Sequence, residues 1–263
     1  MTKRLMRAMQ WLFFIPLALC MAPGAQAGGS AAGQSGGSLS LVIAYHTAPA
    51  NRPALRHELV QFTEPRLRRW QEEGHITRYR VLFSRFADAG NWDAMALLTF
   101  PNASEVAHWK QMEQRHPAGL STHALALTTA VRTAPVDLMR AGSTRDASSD
   151  AVFVVIPYKT LVSADDYLKY ADGYVIPQFN GWMGEGVLSR YALYVSDFPA
   201  GRPWSTLVIL EYRNEAALAA RNAVVAKVRE NLKSNAAWKA ISDNKKNVRE
   251  EEQVVIADPL QGP

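Results

Sequence analysis

The chain has 263 residues, of which 48% are hydrophobic and 20% charged, and this composition excludes a disordered or fibrous protein. It carries 29 Lys and Arg against 24 Asp and Glu, and three of these bases, Lys3, Arg4 and Arg7, lie in the first nine residues. Without them the net charge falls from +5 to +2. The composition therefore lacks the basic excess that nucleic-acid binding requires.

The first 27 residues have the three parts of a secretory signal peptide. The basic start is followed by an apolar run from Trp11 to Ala22, too short to span a bilayer, and by the small-residue pattern Ala25-Gln26-Ala27. We predict a signal peptide over 1–27 and a periplasmic or secreted protein with no membrane contact after cleavage. An uncleaved anchor is one alternative. A lipoprotein processed at Cys20 is another, although Leu19 stands where such signals have a small residue.

Cys20 is the only cysteine of the sequence. After cleavage at Ala27 the protein would have no disulfide, thiolate metal site or cysteine nucleophile. The Gly- and Ser-rich residues 28–38 predict a flexible leader.

Two segments then carry the same elements in the same order. Each begins with a short apolar strand, Leu39 to Tyr45 and Val152 to Tyr158, and continues with a helix, about Pro53 to Glu73 and Ser163 to Met183. Proline should divide each helix and glycine should end it, at Pro65 and Gly74 and at Pro177 and Gly186.

Two strands, a second helix and a last strand complete each segment. The second helices have Asn102 and Asn214 as predicted N-caps, and the last strands cover about Leu127 to Leu138 and Gln253 to Ala257.

The two segments are related by a constant offset of 112 residues. From residue 65 to 106, eleven of 42 aligned positions are identical, where unrelated sequences give about two or three. The matches include Trp70 with Trp182 and Trp92 with Trp204. The same offset places Leu41 to Ile43 on Phe153 to Val155. We infer a duplication, with repeats over 39–140 and 151–263 and a polar linker over 141–150.

The order βαββαβ, found twice, resembles the dimeric α/β-barrel superfamily. The resemblance implies an α+β fold in which two ferredoxin-like repeats form a pseudo-dimeric barrel within one chain, and hence a monomer. It also implies a range of functions, because the superfamily includes haem-degrading and antibiotic-biosynthesis monooxygenases, chlorite dismutase-like haem proteins, isomerases and stress-responsive barrels.

The haem-dependent members fit this sequence poorly. Chlorite dismutase-like proteins hold haem through a histidine of the second repeat, and no histidine follows His123. Haem-degrading monooxygenases use a tryptophan, a histidine on the second helix and an asparagine near the first strand. Trp92 and His108 match two of these, but the first strand has no asparagine. We therefore predict no cofactor.

Other common catalytic motifs are missing from the sequence. All six histidines lie in the first repeat, none four residues from another, so we predict no metal site. The sequence also contains no GxSxG elbow and no P-loop.

Matched polar residues are the candidate ligand-binding groups. If Tyr79, Val81 and Phe83 pack on the helices, alternation turns the opposite face of that strand into the barrel. Arginine on this face could hold a carboxylate ligand, or form an ion pair, for example with Glu73 or Glu185. The candidates are Arg78, Arg190, Ser84 and Ser196.

The offset also pairs His46 with Tyr158 at equivalent strand ends. Such a pair at a barrel mouth would suit proton transfer, and surface positions are the alternative. Trp92 and Trp204 predict either core packing or an aromatic ligand cavity.

These residues leave three hypotheses open. The first is an exported, small-molecule-binding or stress-related barrel that takes an apolar or aromatic ligand. The second is a cofactor-independent monooxygenase or isomerase-like enzyme that uses His46, Tyr158, Trp92 and Arg78. The third is a structural protein whose barrel is filled by side chains.

Overall fold

The computed structural model describes residues 39–144 and 150–260. The predicted signal peptide over 1–27, which contains Cys20, and the leader over 28–38 lie outside the described residues, as does most of the predicted linker. Export therefore stays a prediction. Within the described part of the chain, no helix combines the length and apolarity needed to cross a membrane.

Eight antiparallel strands close into a barrel. The strands of the described residues are β1 (Leu39–Thr47), β2 (Arg78–Ser84), β3 (Ala94–Thr99), β4 (Thr128–Ser143), β5 (Val152–Thr160), β6 (Leu188–Ser196), β7 (Thr206–Tyr212), β8 (Arg249–Glu251) and β9 (Val255–Pro259). Their order around the barrel is β7-β6-β4-β1-β3-β2-β9-β5, and pairing between β5 and β7 closes the ring. The short β8 pairs with the end of β5 outside it. The fold is thus α+β with a closed antiparallel barrel.

Helices cover the outside of the barrel. They are α1 (Arg52–Glu58), α2 (Glu64–Glu72), α3 (Ala103–Arg115), α4 (Thr122–Leu127), α5 (Ala164–Tyr170), α6 (Ile176–Gly184), α7 (Glu215–Ala219), α8 (Arg221–Leu232) and α9 (Ala236–Asn244). The predicted caps are confirmed, since the side chains of Asn102 and Asn214 accept bonds from Glu105 N and Ala217 N.

The predicted interruption of the long helices by proline is also confirmed. A π-helical turn separates α1 from α2 at Leu59–Thr63, and another separates α5 from α6 at Ala171–Val175. Pro65 and Pro177 lie just after these turns, at the start of α2 and α6. A proline there lacks the N–H that a regular helix would need, so the widened turn accommodates it.

Strand alternation divides the apolar side chains into three buried clusters. Two lie between the barrel wall and the helices of each half, and Val81 and Leu193 are members of these. The third fills the middle of the barrel and includes Leu82, Met95, Phe153 and other side chains. The prediction that one face of β2 packs on helices and the other faces inward is therefore confirmed.

The first strands of the two halves are related by 113 residues, not 112. Tyr45 lies opposite Ala94, and Tyr158 lies opposite Thr206, whereas Ala94 and Thr206 keep the offset of 112. Tyr158 is therefore the counterpart of Tyr45, and both are buried under helices. A one-residue shift turns a strand's side chains to the opposite face, so the predicted match of His46 with Tyr158 does not hold.

We expect Gly181 to be required by close packing of α6 on α8. A Cβ added to Gly181 would lie 2.4 Å from Val228 Cγ1, and the β-branched Val228 has little rotamer freedom in a helix. Gly181→Ala should lower the free energy of unfolding by about 1–3 kcal/mol, measured by chemical denaturation.

Gly184→Ala, in the same helix, is the control. A Cβ at Gly184 would meet nothing within 4 Å, so this variant should be neutral or slightly stabilised. Equal effects of the two substitutions would contradict the packing argument.

Candidate functional site

A cavity of about 180 Å³ opens at the barrel end where β1 and β5 finish. Its apolar wall includes Trp92, Met95 and Trp204, and its polar lining includes His46, Arg132 and Arg202. We call this space the tryptophan cavity. Trp92 and Trp204 precede β3 and β7, so matched loops of the two halves deliver both indoles to one mouth. Three of the predicted site residues, His46, Trp92 and Trp204, therefore meet here.

His46 is held in one tautomer by the backbone. Its Nδ1 lies 3.0 Å from the carbonyl oxygen of Asn91, and a carbonyl only accepts, so Nδ1 carries the proton. Burial lowers the pKa of His46 below its usual range, the bond to Asn91 opposes this, and the charge of Arg132 lowers the pKa further. The imidazole is therefore neutral near pH 7, with a basic lone pair on Nε2.

A buried ion pair fixes the loop that carries Asn91 and Trp92. Arg52 pairs with Asp93, whose other carboxylate oxygen accepts the Thr47 N–H at 2.7 Å. Arg52 also donates to the hydroxyl of Ser84 at 3.2 Å and to its carbonyl oxygen. These bonds tie the ends of β1, β2 and β3 together beside His46, so the predicted ligand group Ser84 instead anchors Arg52.

Ser196, the counterpart of Ser84, is buried and its hydroxyl has no hydrogen-bond partner among the described residues. It lines neither this cavity nor the one at the opposite barrel end.

The opposite end of the barrel holds a smaller cavity of about 70 Å³. Arg78, Arg80 and Arg190 line it together with the buried Glu211 and the ring of Phe153. We call it the arginine cavity. The apolar cluster in the middle of the barrel lies between the two cavities. The barrel is thus filled at its centre and hollow at both ends.

Glu211 is the carboxylate partner in the arginine cavity. One of its oxygens lies 3.4 Å from Arg80 Nη1 and 3.6 Å from Arg190 Nε, and the other accepts the Ser189 hydroxyl at 3.2 Å. Three guanidinium groups against one carboxylate leave a local charge of +2. Burial lowers the pKa of Arg80; Glu211 raises it, and the neighbouring arginines lower it again.

The ion pairs suggested from the sequence are different from those observed. Glu185 pairs with Lys227 at 2.7 Å, and Glu73 lies 3.7 Å from His75, so neither is the partner of Arg190 or Arg78.

Tyr158 lies outside both cavities, on the helix-covered face of β5. The guanidinium of Arg249 lies 3.8 Å from the centre of its ring, and burial raises the pKa of its phenol. The predicted proton-transfer pair of His46 with Tyr158 is therefore not formed. The haem-degrading combination of Trp92 with His108 is not formed either, because His108 stacks on His75 outside the barrel.

Several lining residues did not emerge from the sequence analysis. Arg132 and Arg202 line the tryptophan cavity, and Glu211 completes the arginine cavity. Alternation along β4 and β7 could have indicated Arg132 and Glu211. One group that could hold a metal ion, His75 with Glu105 and His108, also occurs among the described residues.

We expect the pKa of His46, followed by NMR titration of its ring protons, to lie below that of an exposed histidine. Arg132→Gln should raise this pKa, because the substitution removes a nearby positive charge. Arg202→Gln should leave the pKa unchanged. An unshifted pKa, or equal shifts in both variants, would argue against this electrostatic account.

No family model matches the chain, and no curated protein matches it. Solved structures do. Two putative monooxygenases, from Lactobacillus acidophilus and Fusobacterium nucleatum, superpose with TM-scores of 0.54 and 0.56 at 13% and 10% identity. Each alignment covers 85% of this chain, and 94% and 92% of the other. An anthrone oxidase-like protein gives 0.52 at 11% identity, over 84% and 90% of the two chains.

At this level of identity the likeness shows a shared fold. The alignments extend over nearly the full length of each similar structure, and those structures belong to the dimeric α/β-barrel superfamily. With its closed eight-stranded antiparallel barrel, the chain belongs to the dimeric α/β-barrel superfamily.

Proposed function

We propose that this protein binds a small aromatic molecule in the tryptophan cavity. The observation that carries the proposal is the convergence of two indoles and a neutral histidine on one hollow barrel end. Ligand sites in proteins combine an apolar wall with a few polar groups of this kind.

The cavity volume sets the size of the ligand. Its 180 Å³ is close to that of an engineered apolar cavity of about 150 Å³ that takes up benzene. Drug-sized ligands need larger pockets, of about 300–1,000 Å³. A single substituted ring, such as a phenol, is the class that fits.

The polar lining indicates how such a ring would be oriented. His46 offers Nε2 to a hydroxyl proton, and the exposed Arg132 has no carboxylate partner within the described residues. Glu252 also lines the mouth, which limits the local positive charge. A phenolic oxygen directed at His46, with the ring against Trp92, satisfies these groups.

We further propose that the arginine cavity holds a small anion, as the matched Arg78 and Arg190 first suggested. Support comes from the excess of two positive charges and from Arg190 Nε, a buried donor with no hydrogen-bond partner. At about 70 Å³ the space suits an anion of few atoms, such as a short carboxylate.

The proposal includes the duplication and the location of the protein. The strand order β4-β1-β3-β2 of the first half has its counterpart in β9-β5-β7-β6 of the second, which supports two ferredoxin-like repeats in a pseudo-dimeric monomer. The signal over 1–27 would direct this monomer to the periplasm, where a stress-related binding role is possible.

Two matched alanines separate the proposed ligands. Ala44 lines the tryptophan cavity and Ala192 lines the arginine cavity. Ala44→Leu should abolish binding of a phenol series, measured by calorimetry, and leave acetate binding intact. Ala192→Leu should do the reverse, because each added side chain fills only its own cavity.

Unfolding temperatures of both variants must stay near that of the parent protein for this comparison to hold. Loss of phenol binding in both variants, or in neither, would count against a ligand in the tryptophan cavity.

A second candidate function is a cofactor-independent monooxygenase or isomerase-like activity. His46 favours it, because a neutral imidazole with its Nδ1–H bonded to Asn91 is arranged as a general base at Nε2. Two of the similar structures also carry the word monooxygenase in their names. His46 would remove a proton from the bound molecule, and molecular oxygen would be the co-substrate in the oxygenase case.

For an enzyme, His46→Gln should reduce turnover of a bound phenol by about 100-fold or more while changing its affinity little. Turnover would be followed by oxygen consumption and by proton exchange with solvent. Arg78→Gln, at the other barrel end, is the control and should retain activity. Full activity of the His46 variant would exclude the catalytic role and leave ligand binding as the function.

A further inference from the structure

A cluster of potential metal ligands lies outside the barrel, away from both cavities. It consists of His75 in the turn after α2, and of Glu105 and His108 one helical turn apart on α3. One ligand atom from each side chain lies within 4.8 Å of the others. We propose that these three residues bind a divalent transition-metal ion such as Zn²⁺.

The backbone brings the three side chains together. Gly74, with a φ of +81°, ends α2 in a left-handed turn, and the following His75 N–H bonds the Trp70 carbonyl at 2.9 Å. Asn102 caps α3 and fixes its first turn, which carries Glu105. Residues three apart on a helix share a face, so Glu105 and His108 both point toward the turn.

The contacts within the cluster are those of a site that needs small adjustments to close. His75 Nδ1 lies 2.8 Å from Glu105 Oε2, and the rings of His75 and His108 stack with centroids 4.2 Å apart. Ligand atoms around zinc stand about 3.4 Å apart, given bonds of about 2.1 Å. The imidazoles must therefore turn out of their stack, and partly exposed side chains can make that rotation.

The donor set selects a class of ion. Two imidazoles and one carboxylate suit zinc, copper and nickel, whereas Ca²⁺ and Mg²⁺ require mostly oxygen ligands. His108 also borders a groove lined by Arg66 and Arg69, whose charges disfavour a weakly held hard cation. Three protein ligands would leave a fourth position for water.

Glu73 adds an outer partner to the cluster. One of its carboxylate oxygens lies 3.7 Å from His75 Nε2. If Nδ1 of His75 binds the ion, its Nε2–H is directed at a carboxylate, as is common for metal-bound histidines. Binding would then replace the single hydrogen bond between His75 and Glu105 by two bonds to the metal.

The test is a Zn²⁺ titration of the protein, produced from its full sequence with Cys20→Ser and without an affinity tag, against a chromophoric chelator. We expect one Zn²⁺ per chain at micromolar concentration, with no competition from millimolar Ca²⁺. His108→Ala and Glu105→Gln should each weaken binding at least tenfold.

His123→Ala is the matched control, because His123 also pairs with a carboxylate, Glu58, at 3.0 Å but belongs to no cluster of three ligands. It should bind Zn²⁺ like the parent. Circular dichroism should show unchanged folding in all variants, and phenol binding should persist in each. Absence of stoichiometric binding, equal loss in the His123 variant, or competition by Ca²⁺ would overturn the proposal.

Discussion

The closed ring of strand pairs is the constraint on which the rest of this structure depends. Once β5 bonds to β7, each strand has neighbours on both sides, and alternate side chains must point inward or outward. An eight-stranded barrel is just wide enough to be filled by side chains. Bulky residues such as Met95 and Phe153 occupy the middle, so unfilled space can occur only at the ends.

The two ends differ because different parts of the chain supply their linings. The tryptophan cavity receives its indoles and Arg202 from the loops before β3 and β7, and the Arg52–Asp93 pair holds one of these loops in place. Strand residues alone provide the charges of the arginine cavity. One end is therefore adjustable through loop sequence, while the other is set by the barrel wall itself.

Much of this arrangement could be predicted from the sequence, because its signals are local. Alternation in β2 indicated the inward face of Arg78, and the matched tryptophans indicated a shared environment. The register of β1 could not be predicted, since the identities that define the offset begin only at Pro65 and one residue is gained before it. The pairing of Glu211 with Arg80 depends on barrel closure, which no local pattern records.

The 113-residue relation between the first strands also shows what a single chain can do that a pair of identical subunits cannot. In a barrel assembled from two copies, any residue at the mouth would occur twice, once on each side of the symmetry axis. Here the counterpart of His46 is Lys159, an exposed residue that pairs with Glu250. Joining the halves in one polypeptide breaks that symmetry, so the mouth presents one imidazole, and a bound molecule would meet two chemically distinct walls.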